Sequence, residues 1–216
     1  MKIDKKLAGL ACAAGAAVLL AGCATGPSAN LDAEFKAMLQ NSFSARGIAK
    51  MDRLDQDLGQ AACSSAKQPP EAVLKQIEGE ALASIKWPTG GQYFGDWTRA
   101  DKLAQSGVGM AWNNPTTDPK TNGGQCYNCH QIDKKEISFG TIGPSLYNYG
   151  KLRGVKDVTD PKVAPIIQYT WGKLYNSKAY AGCSNMPRFG HAKILDEEQM
   201  RDLMSLLLDP RSPVNQ

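Results

Sequence analysis

Gly124-Gln-Cys-Tyr-Asn-Cys-His130 (GQCYNCH) holds two of the six cysteines and one of the two histidines in a chain of 216 residues. Two thiols spaced this way can help hold a metal, cycle as a redox pair, or carry a covalent cofactor. A structural zinc site needs a second pair of ligands. Only Cys63, Cys183 and His191 could supply it, and they are scattered without zinc-type spacing. A thioredoxin-like pair predicts a βαβ context, but strand signals are nearly absent here. The remaining reading is C-x-x-C-H, the attachment pattern of c-type haem. Its two thiols add across the porphyrin vinyl groups, and the adjacent histidine places its imidazole under the iron. One such stretch predicts one haem c, bound covalently through Cys126 and Cys129, with His130 as an axial ligand.

The start of the chain bears on where that chemistry takes place. MKIDKK is a short basic segment, followed by the small-residue apolar run LAGLACAAGAAVLLAG, too short for a convincing membrane span. The run stops at Leu20-Ala21-Gly22-Cys23, which resembles a bacterial lipobox. That resemblance implies a signal peptide over 1–22, removal of Cys12 with it, and acylation of Cys23. Several acyl chains together give stable anchoring. Ala24 resembles an outer-membrane sorting residue, so the expected location is the periplasmic side of a membrane, the outer one first. An ordinary signal peptide cut slightly later is the alternative, and it too exports the protein. Removing 1–22, with its three Lys and one Asp, lowers the net charge from +4 to +2. So small a charge gives no argument for nucleic-acid binding. Hydrophobic content of 42% and charged content of 21% are those of a globular protein.

A six-coordinate haem iron needs a second axial ligand. Met200 and Met204 lie four apart on a predicted helix and read as core, while Met51 and Met110 are poorly placed in the chain. Met186 stands in SNMPRFG, a Pro/Gly-rich loop 56 residues beyond His130. It resembles the methionine of class I cytochromes c, which precedes a proline in such a loop; His191 is the rival. Met/His ligation raises the reduction potential relative to bis-His. In GTIGPSL, Pro144 resembles the class I proline whose carbonyl accepts the Nδ1 proton of the proximal histidine. Gly-Pro also signals a plain turn.

The expected fold is all-α, a class I cytochrome c-like haem domain with an N-terminal helical extension. DWTRADKLAQSG begins with candidate caps, Asp96 or Thr98, and stops at Gly107. DPKVAPIIQYTWGKLY offers Asp160 and Pro161 as a helix start, which Pro165 delays, and a stripe of Ile166, Ile167, Thr170, Trp171 and Leu174. LDEEQMRDLMSLLLDP opens with Asp196 and Gln199 in capping-box register and ends at Pro210. The expected division is 1–22 signal peptide, 23–94 linker and extension, 95–210 haem domain and 211–216 tail. Within the extension, Ile48, Met51, Leu54, Leu58 and Ala62 predict one amphipathic helix; Leu74, Ile77, Ala81 and Ile85 predict another.

Exported thiols are expected to be oxidised or otherwise occupied. With Cys12 removed, Cys23 acylated and Cys126 and Cys129 on haem, Cys63 and Cys183 remain. The expectation is a disulfide between them, stapling the extension to the methionine loop; a reactive thiol is the alternative.

EISFGTIGPSLYNYGKLRG, YTWGKLYNSKAYAGCSNMPRFG and LLLDPRSPVN together resemble the SoxX family, from about residue 63 to the C-terminus. SoxX is the smaller cytochrome subunit of the SoxAX thiosulfate-oxidation complex. The resemblance implies a heterodimer with a SoxA-type cytochrome, acting as an L-cysteine S-thiosulfotransferase. That complex joins thiosulfate to a cysteine of the SoxYZ carrier and passes electrons to a downstream cytochrome. This chain shows no site for sulfur nucleophiles, so no catalytic residue is assigned to it and its role is electron transfer. The lipobox departs from the soluble periplasmic members expected in that family. Other readings are a periplasmic or lipid-anchored mono-haem carrier serving another redox enzyme, a haem-based gas sensor, and a purely structural haem subunit.

Overall fold

A computed structural model describes residues 30–216; the expected signal segment and Cys23 lie outside the described residues. The chain forms two compact units, one ending at Ser44 and the other running from Ala45 to Gln216. Within the described part of the first, α1 (Leu31–Ser42) is capped by the Asn30 side chain, which accepts from the Ala33 amide. None of its residues is buried.

The second unit is built from α-helices, 3₁₀ turns and loops, and among the described residues the only β pairing is an isolated Arg46–Ala49 bridge. Its helices are α2 (Leu58–Cys63), α3 (Glu71–Ala83), α4 (Trp97–Gln105), α5 (Tyr149–Leu152), α6 (Ala164–Tyr175) and α7 (Glu197–Leu208). The fold is all-α and class I cytochrome c-like. Helix α7 is the central element. Its capping box forms as the sequence predicts, with Asp196 accepting from the Gln199 amide and Gln199 from the Asp196 amide. Met200, Leu203, Met204 and Leu207 are buried, so the two helical methionines are core residues.

The start of α4 locks against the middle of α7 through polar groups. Asp202 is 3% exposed and accepts from the Asp96 amide at 2.7 Å and from Arg99 Nε and Nη2 at 2.7 and 2.8 Å. Ser205 Oγ accepts from the Gly95 amide and donates to the Gly95 carbonyl. Ala100 and Ala104, fully buried on α4, have side chains small enough to let the helices approach closely. In α6, Asp160 caps a 3₁₀ turn at Pro161–Val163, and the α-helix follows with Pro165 in its first turn, where a missing N–H costs nothing.

The structure redraws three sequence-based boundaries. Residues 85–94 are tied to the core at points along a largely exposed segment: Ile85 and Pro88 are buried, Trp171 Nε1 donates to the Lys86 carbonyl, and Tyr93 packs edge-on against Trp171, while Trp87 and residues 89–92 are exposed. The expected tail 211–216 is partly interior, with Ser212, Val214 and Asn215 buried and Arg211 and Gln216 exposed. Asn215 satisfies the end of α7 by donating to the Leu207 and Asp209 carbonyls, and it accepts from the Gly150 amide. The amphipathic helix expected over 48–62 is broken into a 3₁₀ turn (Met51–Leu54) and α2, with Met51 and Leu58 exposed. Asp57 is the cause: its carboxylate takes the Gln60 amide and starts a new helix, a role aspartate favours over a helix interior. Helix α3 does bury the predicted Ile77 and Ala81.

Cys63 at the end of α2 forms a disulfide with Cys183, with Cα atoms 5.4 Å apart and a sequence separation of 120. Denaturing the unreduced protein should leave neither thiol open to alkylation. Reduction should lower the unfolding free energy by about 4–5 kcal/mol, the loop-closure entropy of so long a loop, read from denaturant melts with and without reductant.

Candidate functional site

Residues 124–130 fold as a tight turn. Gln125 enters it in the left-handed region at φ 50°. Residues Cys126–Asn128 make one 3₁₀ turn, and the amides of Cys129 and His130 both donate to the Cys126 carbonyl. The next loop folds back over this turn through three backbone bonds: Gly140 N to Tyr127 O, Gly143 N to Cys129 O, and Leu146 N to Gln131 O. Cys126, Cys129 and His130 therefore share one piece of wall.

That wall faces a cavity of about 520 Å³, within the range of small-molecule and cofactor pockets. Leu203, Leu206 and Leu207 of α7 line it, as do Thr170 and Leu174 of α6 and, from the loop that follows, Met186 and Pro187. The His130 ring lies flat against Gly143, where an added Cβ would sit 2.1 Å from Cε1 and 2.4 Å from Nδ1. Only glycine permits that approach. His130 Nδ1 donates to the Pro144 carbonyl at 2.7 Å, which makes Nε2 the lone-pair nitrogen, the form a metal ligand requires. Burial pushes the Cys126 thiol up to about 12. No cluster of three or more His, Cys, Asp or Glu residues suited to a metal ion occurs among the described residues. Two neighbouring thiols, one imidazole nitrogen and an apolar cavity fit a covalently held haem.

The loop carrying Met186 is held from several sides. Ser177, fully buried, donates its hydroxyl to the Met186 carbonyl at 2.6 Å, and the Ser184 hydroxyl accepts from the Met186 amide. The Gly182 amide donates to Glu78 of α3, beside the disulfide. Arg188 reaches Asp57 at 3.1 Å. Of the sequence candidates, Met186 lines the cavity and His191 does not. His191 lines a separate polar cleft with Asp57, Lys178 and Arg188; burial first, then the nearby Arg188 charge, lowers its pKa. Met110 and Met51 are exposed. Sequence reasoning missed Ser177, Arg153 and Lys173. Lys173 follows Thr170 of the predicted helix stripe by three positions, which is the signal that could have placed it beside the cavity.

Residues 120–209 match the cytochrome c family model, a span that takes in the thiol turn, the loop over it, Met186 and all of α7. The chain carries a cytochrome c family domain. It is also 37% identical over 164 residues to a protein described as an uncharacterized lipoprotein from Aquifex aeolicus (strain VF5), an alignment covering 74% of this chain and 73% of that one. The family carries covalently bound haem c, and this cytochrome presents the residues for it on a single turn.

Gly143→Ala tests the close approach of the ring. The added methyl should displace the imidazole and break its bond to Pro144. The expected result is a clear loss of haem per chain by pyridine haemochrome assay, with helix content retained by circular dichroism.

Proposed function

We propose that this cytochrome is the electron-accepting subunit of a SoxAX-type complex, holding one haem c on Cys126 and Cys129 with His130 and Met186 as iron ligands. The observation that carries this reading is where the SoxX-like phrases fall. EISFGTIGPSL contains the loop that seats the His130 ring, and YTWGKLYNSKAYAGCSNMPRFG contains the second half of α6 and the loop that brings Met186 to the same cavity. The match of phrases is therefore a match around the reaction centre.

The haem, when bound, supplies a one-electron couple. The protein contributes a fixed imidazole, a thioether on a tethered loop, and exclusion of water by leucines. Joining a thiolate to thiosulfate forms one S–S bond and releases two electrons, and the bond-forming chemistry needs a site for sulfur nucleophiles. Among the described residues every cysteine is either in the disulfide or on the haem-attachment turn. The chemistry is thus assigned to the SoxA-type partner, and electron acceptance to this chain, which passes electrons on to a downstream cytochrome.

The protein is anchored on the periplasmic side of a membrane through acylated Cys23, a reading supported by the lipobox and by the word lipoprotein in the description of the Aquifex aeolicus protein. That same word favours a second reading, a lipid-tethered carrier that serves another redox enzyme without a fixed partner.

Gentle purification from the native membrane, followed by intact mass, separates the two. A second cytochrome in equal amount, and haem reduction on adding thiosulfate with a carrier of the SoxYZ type, is expected for the complex. A lone haem protein that thiosulfate leaves oxidised would give the place to the carrier. Met186→Ala should convert the ferric spectrum from low to high spin, allow the ferrous form to bind CO, and lower the midpoint potential.

A further inference from the structure

Helix α1 carries an apolar stripe that stays exposed among the described residues. At about 100° per residue, Leu31, Phe35, Met38 and Leu39 fall on one arc of the helix, about 100° wide. Ser42 lies on the same arc and spends its hydroxyl on the Met38 carbonyl. Asp32, Glu34, Lys36, Gln40 and Asn41 all lie outside it. Leu31 is 71% exposed, Phe35 56% and Met38 50%, while Leu39 is partly exposed. In the second unit, α7 buries its stripe of Met200, Leu203, Met204 and Leu207. Helix α1 buries none of its residues.

A helix of 12 residues is marginal in water by itself and draws its stability from packing an apolar face. What covers this face is indicated by where the chain comes from. Seven residues, 24–30, separate the lipobox cysteine Cys23 from Leu31. Fully extended, they span at most about 25 Å. An acylated Cys23 therefore keeps α1 within that distance of the membrane surface. The charge of the helix narrows the kind of surface. Asp32 and Glu34 against Lys36 give a net −1, with no basic face for anionic headgroups. Contact must come from apolar burial, and so few side chains are too weak to hold a free protein on a membrane. Beside an acyl anchor they suffice, because the tether makes the second contact intramolecular.

We infer that α1 is a second membrane contact, lying in the lipid interface with Leu31, Phe35, Met38 and Leu39 turned into the acyl chains of a zwitterionic surface. The inference rests on acylation of Cys23. Its consequence is a shorter tether. Residues 24–44, fully extended, would reach about 70 Å from the membrane. With α1 seated, only the chain beyond Ser42 is left to extend.

The test uses the acylated, haem-loaded protein, purified without a partner and placed in vesicles of phosphatidylethanolamine and phosphatidylcholine. With Cys23 acylated, Cys126 and Cys129 on haem and Cys63 paired with Cys183, Phe35→Cys or Gln40→Cys offers a single thiol for a nitroxide label. Power saturation should find the label at 35 open to dissolved oxygen and shielded from a water-soluble nickel chelate, with the reverse at 40. Adding Leu31→Ser and Met38→Ser should return the label at 35 to the chelate, with haem content and acyl mass native. A label at 35 as open to the chelate as the label at 40, in protein whose intact mass carries the acyl chains, overturns the inference alone. Shielding at 35 from both reagents marks a protein contact, and gives the stripe to a second copy of the chain instead. An intact mass without acyl chains overturns the anchor reading and this inference with it.

Discussion

The Asp202 carboxylate, sealed between two helices, is the contact on which the rest of the unit depends. It is an acid inside an apolar helix, tolerable only because the Asp96 amide and the Arg99 guanidinium saturate its oxygens. That arrangement fixes the start of α4 against the middle of α7, with Gly95 and Ser205 bonded one turn further along. Once α7 is held there, Leu203, Leu206 and Leu207 become cavity wall. The turn that follows α4 through residues 106–125 must then deliver the cysteines to that wall, and the Gly124 amide bonds back to Leu103 to do so. A polar clamp thus orients an apolar site.

The second wall is built differently. The Met186 loop has little regular structure, and its position comes from attachments: a buried serine at its back, a disulfide near its start, an ion pair near its end, and a side-chain bond from α3. Several of these attachments lead to α2 and α3, in the part that the sequence reading treats as an extension. That part works as a brace for the methionine loop. It lies outside the span matched by the cytochrome c family, which begins at residue 120.

How much of this is legible in the sequence follows the range of the interactions. C-x-x-C-H, the Asp196–Gln199 box and the Pro161 and Pro165 helix start are short-range signals, and each appears in the structure where the residues predict it. The fold class follows from them. Elsewhere, local patterns mislead. The stripe from Ile48 to Ala62 has helical spacing, yet Asp57 caps a new helix in its middle. The polar C-terminus RSPVNQ looks like a solvated tail, but Asn215 is needed by carbonyls at the end of α7 and by the Gly150 amide, a partner 65 residues away. Lys173 and Arg153 look like ordinary surface charges because what places them on a cavity is the packing of α6 and the α5 turn around it. The Cys63–Cys183 pairing follows only by exclusion, since no local spacing links positions so far apart.

The disulfide and the haem-attachment turn are nested, with Cys126 and Cys129 lying inside the loop that Cys63 and Cys183 close. Four exported thiols can pair fully in three ways, and each consumes the attachment cysteines, one by linking them to each other and two by linking them to Cys63 and Cys183. A chain that receives its cofactor before it is oxidised has one pairing left, the native one. Order of maturation then does the sorting that an isomerase would otherwise perform, and the cofactor acts as proofreader of the covalent fold before it carries any electron.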